Sequence, residues 1–236
     1  MPNNSEKPEL IYQFTLDDKS VLEYHFIGSD NGLTLEPPKD HFINEWMALK
    51  HNQCDNCPLE PETHNHCPVA HNLSFLLDDW QKVVSFDNIT LNVLTIHRTI
   101  TAKTTAQRAL SSLLGLVMAT SDCPHTQFFR PMAQFHLPLS TPEETAFRAI
   151  STHLVTQFFR QKEGLEAKFN LDGLVEVYNN MHTVNISMKK RIESAVEKDA
   201  AMNAVVLLDI LAITFPNYLD DELEKLKPLF INMLKD

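Results

Sequence analysis

Residues 123–144, CPHTQFFRPMAQFHLPLSTPEE, decide how this chain divides. Prolines at 124, 131 and 138 cut the first part into short turns, because proline fixes φ and has no N–H to donate. The stretch then ends on Thr141-Pro142-Glu143-Glu144. That is a strong helix start: an N-cap threonine, proline at the first helical position and glutamate at the third. No proline follows between 143 and 215, so the character of the chain changes near 140. The reading is α+β. A small antiparallel sheet with a Cys-rich metal-binding loop occupies residues 1–140, and an all-α helical bundle occupies 141–236. The two halves could pack as one unit.

Working outward towards the C-terminus, periodicity predicts helices at about 142–162, 172–197 and 199–215. A last helix from about 220 kinks at Pro228. Working towards the N-terminus, Thr104 and Gln107 fit a capping box. They open a helix whose buried stripe is Ala109, Leu110, Leu113, Leu114 and Val117, and Cys123 lies just past its end. Strands are expected near 88–95 and 98–103, and an amphipathic helix over 72–84 through Leu73, Leu76, Leu77 and Trp80. Residues 11–27 read as a hairpin, with Tyr12, Phe14 and Leu16 alternating before the turn and Leu22, Tyr24 and Phe26 after it. Residues 28–40 read as loop, and His41–Lys50 as a short helix with Phe42, Trp46 and Leu49 on one face.

Composition excludes several function classes. Only 5 of 236 residues are glycine, and no GxGxxG, GxxxxGK[ST] or GxSxG occurs, so phosphate-cradling loops are not expected. A net charge of −11 disfavours nucleic-acid binding, and the one basic cluster, Lys189-Lys190-Arg191, reads as a solvated helical face. The opening MPNNSEKPEL has no apolar core, which argues against a secretory signal. The run from Ala204 to Phe215 carries Asp209 and falls below the roughly 20 residues of a membrane span, so a buried core helix is expected there, with a dimer-forming helix as the alternative. A cytoplasmic protein without membrane contact follows from these readings.

The chemistry concentrates in residues 51–71, HNQCDNCPLEPETHNHCPVAH, which hold Cys54, Cys57, Cys67, His51, His64, His66 and His71. Cys123 is the fourth and last cysteine, and Cys57, Cys67 and Cys123 each precede a proline. In a reducing compartment, clustered cysteines point to metal or redox chemistry rather than disulfides. The C-x2-C spacing of Cys54 and Cys57 lets two thiolates reach one metal, with Cys67 and Cys123 closing the site. A variant replaces one thiolate with His51, His64 or His66. Zinc accepts either set. An iron–sulfur cluster favours four thiolates, and Cys-Pro pairs recur in ferredoxin-type binding runs. The remaining alternative is free thiols, or a redox dithiol at Cys54-Asp55-Asn56-Cys57, although no βαβ unit surrounds it. Cys123 has the further alternative of a small core residue.

His125, Arg130 and His136 are candidate cofactor- or substrate-binding groups. The plainer reading makes the histidines hydrogen-bonded structural residues and pairs Arg130 with a carboxylate. Cys123-Pro124-His125 is an improbable nucleophile pair, because catalytic partners meet through the fold rather than as near neighbours. His153 and His182 lie in the helical half without the Glu-x-x-His of di-iron carboxylate proteins.

Four segments carry a resemblance: His51-Asn52-Gln53-Cys54-Asp55-Asn56-Cys57-Pro58-Leu59, Cys67-Pro68-Val69-Ala70-His71-Asn72-Leu73, the run from Thr104 to Thr126, and that from Arg130 to Pro138. Together they resemble a family of uncharacterised bacterial proteins with the signature HxQCxxCPL, CPVAxNL, CPHT and RPMAxFHLP, over roughly residues 46–160. The resemblance implies relatedness and no activity. This chain departs from it at Asp122, where the family has Gly, and at Gln134, where it has Arg. An acidic Asp122 is expected to oppose a thiolate at Cys123. The functional expectation is a cytoplasmic four-cysteine iron–sulfur protein used for redox chemistry or sensing. Its alternative is a zinc-stabilised module that binds a protein partner or a second copy of itself through the helical half. A third reading is an enzyme using His125, Arg130 and His136 near the metal.

Overall fold

The alternating residues of the N-terminal hairpin form the middle of an antiparallel sheet in the computed structural model, which describes residues 10–37 and 42–235. The strands are β1 (Leu10–Thr15), β2 (Val21–Ser29), β3 (Gly32–Leu35), β4 (Asn88–Thr95) and β5 (Thr99–Thr105). Their spatial order is β3-β2-β1-β4-β5. In register, Tyr12 lies opposite Tyr24 and Val93, and Phe14 opposite Leu22 and Leu91. Alternation therefore stacks Tyr12, Phe14, Tyr24, Phe26, Leu91 and Val93 on one buried face. Fully burying a side chain such as Phe14 or Phe26 contributes roughly 2–3 kcal/mol.

Helices cover that face. They are α1 (Pro68–Trp80), α2 (Ala106–Ala119), the short α3 (Arg130–Gln134), α4 (Pro142–Lys162), α5 (Asp172–Glu193) and α6 (Ala200–Leu226). Trp80 of α1 meets Phe14 edge-on with ring centroids 5.0 Å apart. Its Nε1–H donates to the Tyr24 hydroxyl at 2.9 Å, and that hydroxyl donates to Asp79 at 2.9 Å. The α+β class and the hairpin stand as expected. The start of α4 does too: Thr141 Oγ1 accepts from the Glu144 N–H at 3.2 Å, and the Glu144 carboxylate accepts from the Thr141 N–H at 2.8 Å. Helix α2 packs on α6, and one buried cluster runs from Tyr12 and Phe14 through Leu110 to Phe215.

Several elements differ from the sequence expectation, each for a physical reason. The segment expected as loop contains β3, an edge strand that buries Leu33 and Leu35 and pairs with β2 through a turn at Gly32, whose φ of +107° suits glycine. Helix α1 starts earlier than expected because Pro68 is tolerated at the first helical position. The expected capping box at Thr104 is absent: α2 begins at Ala106, and neither threonine hydroxyl of Thr104 and Thr105 has a partner. The first helical N–H groups are satisfied by the backbone instead, Ala106 by the Asp87 carbonyl at 2.9 Å and Gln107 by Ser85 at 3.0 Å. Helix α5 stops at Glu193 rather than 197. The two helices expected after 199 are one, because α6 runs through Pro216 and gives way to a 3-10 turn, Lys227–Met233, at Pro228.

The expected helix over His41–Lys50 reduces to a single 3-10 turn, Glu45–Met47; His41 itself lies outside the described residues. The chain instead forms a bridge between Ala48 and His66, and the Leu49 N–H donates to the Asn65 carbonyl at 3.0 Å. With its 3-10 extension, α6 spans the 34 residues Ala200–Met233 and contains an 18-residue window of mean hydropathy 1.5. By length and composition it could cross a membrane, a test that the core helix of a globular protein also passes.

Candidate metal centre

The fold brings the four cysteines into one neighbourhood. The Cys54–Cys57 turn is closed by the Cys57 N–H donating to the Cys54 carbonyl at 3.0 Å. Two outside contacts pin it. Asn56 Nδ2 donates to Asn180 Oδ1 of α5 at 2.9 Å, and His125 Nε2 donates to the Asn56 carbonyl at 2.7 Å. Cys67 is held at the start of α1, where its N–H donates to the Met47 carbonyl at 2.9 Å. Cys123 opens the 3-10 turn Pro124–Phe129. Cys67 and Cys123 are buried, and Cys54 and Cys57 are half-buried.

The two buried Cys-Pro pairs share a local design. Each cysteine is the residue before a helical turn, each proline takes the first position, and the next two N–H groups turn back towards the sulfur. Those groups are Val69 and Ala70 for Cys67, and His125 and Thr126 for Cys123. They stop short of full capping bonds but favour a negative charge on sulfur. Proline suits the first position because its missing N–H would have had no helical partner.

Burial opposes that charge. It raises the thiol pKa of Cys54 and Cys67 and pushes Cys123 up to about 12. Neighbouring sulfurs add to this: Cys54 and Cys67 raise Cys123, and Cys67 and Cys57 raise Cys54. A hydrogen bond with Ser187 of α5 acts the other way on Cys54. Without a bound cation, these three thiols are neutral near pH 7. Asp122 has no part in the balance. Its carboxylate is 92% exposed and paired with Arg130 Nη2 at 2.8 Å, so the expected opposition to a thiolate at Cys123 is not borne out.

The group that sequence reasoning missed is Arg191. It sits in what reads as a basic surface patch, yet it is 1% exposed while Lys189 and Lys190 are exposed. Its Nη1 donates to the carbonyls of Trp46 at 2.7 Å and Ala48 at 2.8 Å, and its Nη2 to Leu49 at 2.8 Å. The carbonyls of Trp46 and Leu49 are open to it because the segment did not become a helix, and that of Ala48 is shared with the His51 N–H at 3.0 Å. No carboxylate pairs with Arg191 among the described residues, and its buried Nε has no partner. The ionisable groups that act on it are the thiols of Cys67, Cys54 and Cys57. Burial pulls its pKa down, while Cys67, Cys54 and Cys57 pull it back up. The missed signal was heptad position: Arg191 continues the buried stripe of Met181, Val184 and Met188 on α5.

The other candidates have separate partners. His51 Nε2 lies 3.3 Å from Ser194 Oγ, and His64 Nδ1 2.8 Å from Thr63 Oγ1 on the exposed surface. Half-buried His66 belongs to the bridge with Ala48. His125 supports the cysteine turn. His136 hydrogen-bonds Tyr12, and Arg130 pairs with Asp122. No hydrogen bond or ion pair joins His125, Arg130 and His136 to one another among the described residues. His153 donates to the Asn170 carbonyl at 2.8 Å, and His182 pairs with Asp209 at 2.8 Å. Among the described residues, no three His, Cys, Asp or Glu side chains converge tightly enough to hold a single metal ion.

Residues 10–231 match the family described as a domain of unknown function (DUF6901), and the chain belongs to that family. The expectation of an uncharacterised family stands at that level. No curated protein and no solved structure matches the chain.

Proposed function

We propose that this member of the DUF6901 family is a cytoplasmic metal-binding protein whose Cys54, Cys57, Cys67 and Cys123 thiolates hold an iron–sulfur cluster used for redox chemistry or sensing. The observation that carries the reading is the buried Arg191, a cation with no carboxylate partner among the described residues and coupled electrostatically to three of the four thiols. A buried charge without a counter-charge costs several kcal/mol. A thiolate-bound metal centre carries net negative charge and would supply that counter-charge in place. Arg191 Nε would donate to it, and the N–H groups after Cys67 and Cys123 would steady its sulfurs.

The donor set favours a cluster over zinc: four cysteines are available as thiolate ligands, and three of them precede a proline, as in ferredoxin-type binding runs. When bound, a cluster would supply one-electron chemistry, and its oxidative loss would release the cysteine turn from α5.

Zinc with a structural role remains the second reading, favoured by an exposed apolar stripe on α4. Phe147, Leu154, Val155 and Phe158 recur at helical spacing and are exposed, a surface suited to a partner protein or a second copy of this chain. Anaerobic purification with visible absorption and elemental analysis, on wild type and Cys57→Ser, tests both. Iron and sulfide with a broad visible band that bleaches in air and is lost in the variant are expected. Stoichiometric zinc would replace the cluster reading with the second one. A protein without either metal overturns the proposal.

A further inference from the structure

A cavity of about 300 Å³ lies between α2, α5, α6 and the segment before α4. Its walls are mostly apolar, with Leu116, Met181, Leu208 and Leu211 among them. It is at the small end of the volumes that ligand sites occupy. Four polar groups on its walls, Asn185, Arg148, Tyr178 and His136, bear on what it could hold.

Asn185 of α5 is 2% exposed, lines the cavity, and its Oδ1 is buried with no hydrogen-bond partner. An apolar residue would fit such a wall without that cost, so an unpaired amide oxygen there points to an absent partner. Arg148 of α4 also lines the cavity. Its Nη2 donates to the carbonyls of Met132 and Phe135, and it makes no ion pair among the described residues. Tyr178, buried to 3% exposure, lies beside this guanidinium, and burial raises its pKa. His136 completes this end. Burial, helped by the charge of Arg148, takes its pKa down to about 3, so it is neutral at physiological pH. Two arginines line the cavity, the exposed Arg108 and the half-buried Arg148, and Arg148 is the one set beside Tyr178 in apolar surroundings. A half-buried guanidinium among apolar walls suits the carboxylate head of an apolar chain.

Tyr178 and Asn185 stand two turns apart on one face of α5, about 10 Å along the helix axis. The positive end and the unpaired amide are thus separated by the length of a medium-chain molecule. We propose that the cavity binds a medium-chain carboxylate whose head pairs with Arg148 beside Tyr178 and whose far end carries a hydroxyl bonded to Asn185. The apolar walls take the chain between them. The inference does not depend on a metal at the cysteines.

Calorimetric titration of the full-length protein with octanoate, 8-hydroxyoctanoate and octan-1-ol tests it. Octanoate is expected to bind at least about tenfold more tightly than octan-1-ol, as for other charge-assisted pairs. Arg148→Met should remove that preference. 8-Hydroxyoctanoate should bind more tightly than octanoate to wild type but not to Asn185→Leu. That variant loses a buried unpaired polar atom, so without ligand it should melt no lower than wild type. The wild-type comparison needs no variant to fold. Equal affinity for octanoate and octan-1-ol, or no binding of either carboxylate, overturns the proposal.

Discussion

Replacing Arg191 with methionine tests how the cysteine neighbourhood is held together. Methionine fills most of the same space but removes the charge and three donors. Those donors now satisfy the carbonyls of Trp46, Ala48 and Leu49 at 2.7–2.8 Å. Hydrogen bonds from a charged group are worth roughly 1.5–3 kcal/mol each, so about 5–9 kcal/mol of gross interaction is lost. Relief of the guanidinium's desolvation returns several kcal/mol. The net expectation for the metal-free protein is a loss of about 3 kcal/mol. The assay is urea unfolding under anaerobic, reducing conditions, with Lys190→Met as a neighbouring exposed control expected to stay within about 0.5 kcal/mol. The same titrations after loading with metal carry the sharper result. If the charge of Arg191 is answered by metal-bound thiolates, loading stabilises wild type more than Arg191→Met. Equal stabilisation of both, or a metal-free loss below about 1 kcal/mol, would refute the reasoning.

Two further predictions follow from local geometry. The Cys123 thiol titrates at about 12 in the folded protein against about 9 when unfolded, so the folded state binds the extra proton. Stability of the metal-free protein is therefore fully present below pH 9 and falls as pH rises from there towards 12, at about 1.4 kcal/mol per pH unit for this one thiol. Cys123→Ala should flatten that fall in denaturant titrations, and an unchanged slope would sink the assignment. Thr141→Ala removes one half of the capping box at the start of α4 and should cost about 1 kcal/mol, read from the urea midpoint, whereas Thr104→Ala should cost less because that hydroxyl caps nothing.

Where sequence reading succeeded, the signal was local. Alternation at Tyr12, Phe14, Tyr24 and Phe26 set a hairpin because one face had to be buried, and Thr141-Pro142-Glu143-Glu144 started a helix because its own side chains satisfy the first N–H groups. Where it failed, the deciding partner lay elsewhere in the chain. Thr104 looked like a cap, but the N–H groups of α2 found the carbonyls of Ser85 and Asp87. Residues 46–49 had a helical pattern, but the carbonyls of Trp46, Ala48 and Leu49 are taken by Arg191 from 142–145 residues away, and that of Met47 by the Cys67 N–H.

Clustered Cys-Pro pairs therefore mark the candidate centre in the sequence by themselves, because a cysteine before a helix-starting proline is a local arrangement. Tertiary structure alone brings Cys123 to Cys54 and Cys67, turns Arg191 from an apparent surface charge into a buried one, and leaves Asn185 and Arg148 facing a cavity. The reason is that a charge's cost depends on what surrounds it, and that environment comes from residues distant in the chain.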